Sequence, residues 1–404
     1  MLSASSAPVI EATLPVVGEH LEAIATEFYR SMIGENPELL NLFSRSAQAT
    51  GEQRGALSGA VAAYAAHLIG AGPRGVPFEH IVERIAQRHC ALGIRPEQYT
   101  LVGRYLLRAV GTVLGDAVTP EIGAAWDEVY WLFAAQLIGR EARIYAEAGV
   151  DGRDPFRSFT VAQRITEAHD TVSFVLVPAD GGPAPDFRPG QYVTVVADLP
   201  GAGRQLRQYS LSQAATGGTL RITVRRVRGA GGAPDGVVSG FLHDHVRAGD
   251  ELPISRPYGD LVLHPGDEPL LLVSAGVGIT PMAAILEHVA RTQPTREVTA
   301  VHADRSPDRH PLRADMAANG SRLRSYRSLN WYEQHAGEPD AYTGRIDTYL
   351  IPVHPDASVY LCGPAPFMQV VRAGLHLRGV PDERIRYEVF GSEQWRPAPA
   401  PAAV

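Results

Sequence analysis

The stretch "AQRHCALGIRPEQY", residues 86–99, sets a histidine among apolar neighbours: Ile81 and Ile85 stand eight and four residues before His89, and Leu92 three after it. At a period of 3.6 these side chains share one helical stripe. An imidazole there is either a core histidine satisfied by its neighbours or an axial ligand of a metal. Other polar residues fall inward as well. Gln53 precedes Leu57 by one turn on the core face of its helix, and Tyr29 adjoins the core residue Phe28. Tyr99 and Glu141 would each be costly if buried alone, but hydrogen-bonded to one another and to a histidine they would orient that ring and raise its basicity. His67, near the core face of its own helix, is the rival ligand and lacks such partners. The two cysteines, Cys90 and Cys362, are too few and too far apart for a disulfide framework or a zinc knuckle, so a metal must be held by histidine or within a cofactor.

A second set of residues suits phosphates and flat rings. "LLLVSAGVGITPM" runs from a buried strand into Gly276-Val277-Gly278 and then a helix beginning near Pro281. Glycines let the backbone approach a ligand, and a helix start offers free N–H groups to a pyrophosphate. The spacing is not the complete dinucleotide fingerprint, so alone it reads equally as a strand-helix turn. "YLCGPAPFM" ends a second strand in Cys362-Gly363-Pro364, and Cys362 by itself reads as a small buried hydrophobe. In "RQYSLS", Arg207 can pair with a phosphate, Tyr209 can cover a ring and Ser210 can donate to a ring heteroatom, against the plain alternative of a strand with one ion-paired arginine.

Three periodicities divide the 404 residues that must position these groups. Residues 1–148 read as helices only, with Leu21, Ile24, Ala25, Phe28 and Met32 on one face and Leu57, Ala60, Val61, Tyr64 and Leu68 on another. "AGVDGRDPFRSF" breaks the last helix and marks a linker. Residues 149–263 carry short β-branched runs with Gly/Pro turns, the pattern of a small antiparallel barrel, interrupted by the helix "VVSGFLHDHV" with Ser239 as N-cap. Residues 264–395 alternate strand and helix, predicting a parallel sheet covered on both faces, and 396–404 form a Pro/Ala-rich tail expected to be disordered. A net charge of -7 argues against a nucleic-acid partner. The N-terminus lacks a signal-peptide pattern and the longest apolar run is too short to span a bilayer, so a cytoplasmic protein without a transmembrane segment is expected.

In order along the chain, "RQYSLS", "AGVGITPM", "YLCGP" and "YEVFG" resemble the ferredoxin reductase family, a flavin-binding barrel followed by a nicotinamide-binding domain. That resemblance implies that Arg207, Gln208, Tyr209 and Ser210 hold FAD, that Tyr192 lies against the flavin, and that the helix around Ser239 faces its pyrophosphate. It places Gly276, Gly278 and Thr280 at NAD(P)H, Cys362 and Gly363 close to the nicotinamide, and Glu388 and Phe390 over the flavin. "EFYRSM", "EQRGAL", "AQRH", "RPEQY" and "GREARIY" extend the likeness to the flavohaemoglobin family, a globin fused to this reductase pair, over nearly the whole chain. By that resemblance His89 is the proximal ligand of haem b iron, with Tyr99 and Glu141 behind it. Tyr29, Gln53 and Leu57 then line the distal pocket, and Phe43 packs on the haem. Val389 and Ser392 stand where the family often has cysteine and proline, and a glycine-rich insert lengthens residues 229–236.

The implied activity is nitric oxide dioxygenation: electrons pass from NAD(P)H through FAD to haem, where O2 and NO yield nitrate. A haem-based O2 or NO sensor or carrier with self-reduction, and a general NAD(P)H-flavin reductase, are the alternatives. The partners expected are small molecules, with the protein a monomer. Asp304 would suit a ribose hydroxyl and Arg305 a 2′-phosphate, so the sequence leaves the dinucleotide open.

Overall fold

The structure, a computed structural model, describes residues 1–37, 39, 54–71, 78–150, 155–229, 234–334 and 339–390. Phe43, Gln53 and Ser392, part of the glycine-rich insert and the tail expected over 396–404 lie outside them. The chain divides into two compact units, Met1–Pro155 with Pro200–Leu206, and Phe156–Leu199 with Arg207–Val404.

Residues 1–155 of the first unit are helical among those described. Its helices are α1 (Ser6–Glu19), α2 (Leu21–Glu35), α3 (Arg54–Leu68), α4 (Phe78–Leu92), α5 (Pro96–Leu114) and α6 (Pro120–Glu147). Helix α2 packs on α5 and α4 on α6, and Phe28, Met32, Tyr105 and Ala109 are buried in the core. The turn between α4 and α5 matters most. Gly93 takes φ +74°, a left-handed value that costs glycine little, and the Ile94 N–H closes back on the His89 carbonyl at 3.0 Å. Pro96 then opens α5, while the Gln98 side-chain carbonyl accepts the Arg95 N–H at 2.8 Å. A helix stop followed immediately by a helix start brings Tyr99 back onto His89. Helix α6 places Ala134, Leu137, Glu141 and Ile144 on one buried face, so the carboxylate arrives by helical spacing.

Two six-stranded sheets follow, and apart from the first four residues of β4 they lie in the second unit. The first is antiparallel, ordered β4-β3-β6-β1-β2-β5, from β1 (Phe156–Ala168), β2 (Thr171–Pro178), β3 (Tyr192–Leu199), β4 (Gly203–Ser210), β5 (Leu220–Arg225) and β6 (Glu251–Ser255). Leu211, just beyond β4, pairs with Ile222 of β5, which closes the sheet into a barrel. Helix α7 (Val237–His245) follows β5. It starts at Val237 with Gly236 as N-cap, so Ser239 is not the N-cap that its residue type suggested. Its hydroxyl is engaged instead in accepting the Val227 N–H at 3.1 Å and donating to the Gly236 carbonyl at 3.0 Å.

The second sheet is parallel throughout, ordered β10-β9-β8-β7-β11-β12. Its strands are β7 (Leu270–Ala275), β8 (Val298–Asp304), β9 (Tyr326–Tyr332), β10 (Ala341–Thr343), β11 (Ser358–Cys362) and β12 (Ile385–Glu388). Helices α8 (Ile279–Thr292) and α9 (Arg313–Gly320) cover one face and α10 (Ala365–Leu377) the other, each over its own apolar cluster. Strand order reverses at β7, so the turns after β7 and β11 open side by side where such sheets bind ligands. Among the described residues no helix is long and apolar enough to cross a membrane.

Candidate functional site

Three side chains converge in the helical unit. The His89 Nδ1 lies 2.7 Å from Glu141 Oε1 and 2.9 Å from the Tyr99 hydroxyl, and that hydroxyl donates to the same Oε1 at 2.5 Å. The Glu141 side chain is only 3% exposed, so its charge is stabilised by these two donors and not by solvent. Its second oxygen, Oε2, is buried with no hydrogen-bond partner among the described residues. Tyr130 donates to the Tyr99 carbonyl at 2.6 Å and so holds the turn of α5 that carries Tyr99. Burial, reinforced by the Glu141 charge, pushes the Tyr99 phenol far above its ordinary pKa and keeps it a donor.

With Nδ1 committed, Nε2 is the ring atom free to bind, and it has no protein partner among the described residues. The expected core stripe also differs. Helix α4 buries Val82, Ala86 and Cys90, one position round the helix, whereas Ile81, Ile85, His89 and Leu92 are half-buried. Cys90 is therefore a core residue, and His89 looks out over an apolar stripe that the protein does not itself bury. A bare imidazole nitrogen over such a surface fits the iron and the flat apolar face of a haem. Tyr29 is half-buried, edge-on to Phe28 at 4.9 Å, with burial raising its phenol to about 12. Leu57 is half-buried on α3. His67 is exposed and stacks on Phe78 at 4.9 Å, which removes the geometric basis for it as rival ligand.

In the barrel, Arg207, Gln208, Tyr209 and Ser210 end β4. Gln208 is exposed, Arg207 and Tyr209 are half-buried, and the Ser210 Oγ is buried with no hydrogen-bond partner among the described residues. Burial lowers the Arg207 pKa and raises that of the Tyr209 phenol, each offset by the other's charge. A stranded hydroxyl and a poorly solvated guanidinium at the end of one strand fit a polar ring and a phosphate. Tyr192 exchanges backbone hydrogen bonds with Tyr258, and Gly259, at φ +125°, lies so close that a Cβ there would stand 3.0 Å from the Tyr192 ring.

The glycine turn is built as its sequence suggests, although α8 begins two residues earlier than expected. Gly276 takes φ +54°, and a Cβ on Gly278 would collide with the Cys362 carbonyl and stand 2.8 Å from the Gly363 nitrogen. The turns after β7 and β11 thus pack backbone to backbone, a cradle that side chains would fill. Thr280 donates to the Val277 carbonyl at 2.9 Å and locks the first turn of α8. Cys362 is fully buried in the cluster beneath α8, and burial, then the Glu388 charge, raises its thiol well above the usual range. Glu388 is its register partner on β12, and Phe390 is exposed.

One group escaped sequence reasoning. His302 on β8 and His310 stack with centroids 3.9 Å apart, both buried. Burial lowers both pKa values, that of His310 well below 6.5. An unfolded chain takes up these protons near pH 6.5 while the folded unit does not, so stability is highest above 6.5 and declines below it until the folded rings titrate. Each ring should remove at most about 1.4 kcal/mol per pH unit in that window. The urea midpoint of the flavin-bearing unit, followed by flavin fluorescence, should fall between about pH 7.5 and about pH 5.5, and His310→Gln should flatten the slope.

Comparison with known proteins finds three families along the chain. Residues 26–137 match the globin family, 144–263 the oxidoreductase FAD-binding domain and 272–373 the oxidoreductase NAD-binding domain. A flavohaemoprotein of Bordetella pertussis is 42% identical over 97% of this chain and 99% of its own. The chain belongs to the flavohaemoglobin family. A flavohaemoprotein of Chromobacterium violaceum is 41% identical with the same coverage. The crystal structure of a Malassezia yamatoensis flavohaemoglobin with bound FAD and haem superposes with a TM-score of 0.86 at 35% identity, covering 96% of this chain and 100% of that one. A Vibrio cholerae structure, described as the FAD/NAD-binding domain of a nitric oxide dioxygenase, is 37% identical with a TM-score of 0.55 and covers 59% of this chain and 100% of that one. This flavohaemoglobin is accordingly an NAD(P)H-dependent oxidoreductase whose cofactors are haem, FAD and a nicotinamide dinucleotide.

Proposed function

We propose that this flavohaemoglobin is a nitric oxide dioxygenase and that the residues described above carry it. The observation that supports this most is the buried Glu141 carboxylate on His89 Nδ1, in a chain that also carries its own reductase. A carboxylate behind the imidazole increases its donation to iron, which suits turnover of bound oxygen better than reversible storage. When bound, the cofactors supply the redox chemistry: NAD(P)H gives an electron pair, FAD divides it, and haem iron joins O2 to NO as nitrate, two NO and two O2 per NAD(P)H.

The chain's own residues bind, orient and exclude. His89 offers Nε2 to the iron while Tyr99 and Glu141 fix its tautomer and ring plane. Tyr29 would donate a hydrogen bond toward the gas ligand and Leu57 would narrow the pocket to diatomics; Gln53 and Phe43, outside the described residues, are the further residues that the family resemblance assigns to this pocket. Arg207 pairs with an FAD phosphate, Ser210 donates its stranded hydroxyl to the flavin, Gln208 and Tyr209 line the same strand, and Tyr192 lies along the ring. The first turn of α7, which carries Ser239, faces the FAD pyrophosphate. Gly276, Gly278, Thr280 and Gly363 form the dinucleotide cradle with Cys362 beneath it, and Glu388 and Phe390 cover the flavin. The functional divisions proposed are a haem domain over 1–148, a flavin domain over 149–263 and a nicotinamide domain over 264–395.

An NO electrode decides the activity. With NAD(P)H and oxygen present, NO should vanish with matching nitrate; consumption no faster than by free haem would leave a sensor, a carrier or a plain flavin reductase.

A further inference from the structure

A series of polar neighbours leads from the strand before the dinucleotide turn to an arginine packed against the turn itself. Ser274, on β7 two residues before Gly276, has its Oγ 2.9 Å from the Nδ1 of His302, its register partner on β8. The His302 Nε2 lies 3.7 Å from Asp304 Oδ2, and Asp304 Oδ1 lies 3.5 Å from Arg225 Nη2. Arg225 ends β5 of the flavin barrel, and a Cβ on Gly276 would stand 2.6 Å from its Nη1. Asp170 holds the same guanidinium at 3.2 Å and also takes Arg309 at 2.8 Å. The series Ser274, His302, Asp304, Arg225 therefore runs from the strand before the turn to a guanidinium packed against Gly276, and links the turn to the barrel.

The charges select one tautomer. His302 Nε2 and Asp304 Oδ2 are both buried, and neither has a hydrogen-bond partner among the described residues. A bare nitrogen lone pair facing a carboxylate repels it, so the proton belongs on Nε2; Nδ1 then accepts from the Ser274 hydroxyl at 2.9 Å, in competition with the more distant Val301 carbonyl at 3.3 Å. The Asp304 side chain is 2% exposed and also accepts the Arg305 N–H at 2.8 Å, so it is committed inward and not to a ribose hydroxyl. This placement argues against the ribose-hydroxyl role that the sequence suggested for Asp304.

We propose that His302 is a positioning residue for the nicotinamide dinucleotide. Through Asp304 it fixes Arg225 against Gly276, which holds the glycine turn in its binding geometry and anchors it to the flavin barrel. The proposal rests on the dinucleotide lying at that turn, and calorimetric titration of the FAD-loaded full chain with NAD+ and with NADP+ tests both. His302→Asn reaches only the Nδ1 side of the relay and should weaken both dinucleotides about fivefold. His302→Gln carries its amide to the Nε2 position and should bind within about twofold of the parent. Asp304→Asn, nearly isosteric but uncharged, should weaken both dinucleotides by similar factors. Parental binding by His302→Asn, or equal weakening in both histidine variants, would make the ring packing alone and overturn the relay. Weakening of NAD+ only in Asp304→Asn would make the carboxylate a ribose reader and overturn it as well. If neither histidine variant folds, Asp304→Asn decides alone. Gly278→Ala places a methyl against the Cys362 carbonyl; parental binding there would instead overturn the placement of the dinucleotide, and the relay with it.

Discussion

His89→Ala should yield a protein that retains FAD but has lost its Soret band and its NO consumption. The imidazole is the proposed ligand, oriented by Glu141 and Tyr99 at 2.7 and 2.9 Å, and the half-buried stripe of Ile81, Ile85 and Leu92 supplies apolar surface but no other donor. Without the axial bond, haem would be held by apolar contact alone. The flavin residues belong to the second compact unit, so NAD(P)H-dependent reduction of ferricyanide should survive. Free imidazole, entering the space left by the ring, should restore part of the band. His67→Ala should leave the spectrum unchanged, because that ring is exposed and stacked on Phe78. A normal Soret band in His89→Ala would move the ligand elsewhere.

The residues with a local signature were the ones legible in the sequence. His89, Tyr99 and Glu141 lie at helical spacing from apolar neighbours, and a phenol and a carboxylate turned inward require partners. The glycines of the β7 and β11 turns announced backbone approach, and both sit where the parallel sheet reverses order. What stayed hidden depends on register or on competition for a hydroxyl. His302 reads as an ordinary residue of an alternating strand, since nothing local says that Ser274 lies beside it. Ser239 looked like an N-cap, but the Val227 backbone takes its oxygen and Gly236 caps the helix. Strand β6 is five residues long with Pro253 inside it, too short for alternation to show. Along α4 the stripe was placed one position off, because a helix facing a large cofactor has two apolar faces and periodicity does not say which one protein buries.

Glu141→Gln should keep its haem and lose activity about ten- to a hundredfold, the usual cost of removing a carboxylate behind a metal-bound imidazole. The amide is nearly isosteric, and its oxygen can still accept from His89 Nδ1 and from Tyr99, so ring orientation and fold should persist. What is lost is the negative charge. In a site where Glu141 is 3% exposed, that charge strengthens the bond to Nδ1–H and pushes electron density through the ring toward Nε2. A weaker push stabilises ferric iron less, so the haem potential should rise while the flavin potential stays fixed. The loss should therefore appear in kcat for NO consumption with little change in KM for NAD(P)H, whose site lies in the other unit. Tyr99→Phe should lower activity less, because Glu141 keeps its direct bond to His89. Should Glu141→Gln turn over normally with an unshifted haem potential, the carboxylate would be a structural bracket for His89, and the case for a dioxygenase over a self-reducing carrier would lose its main support.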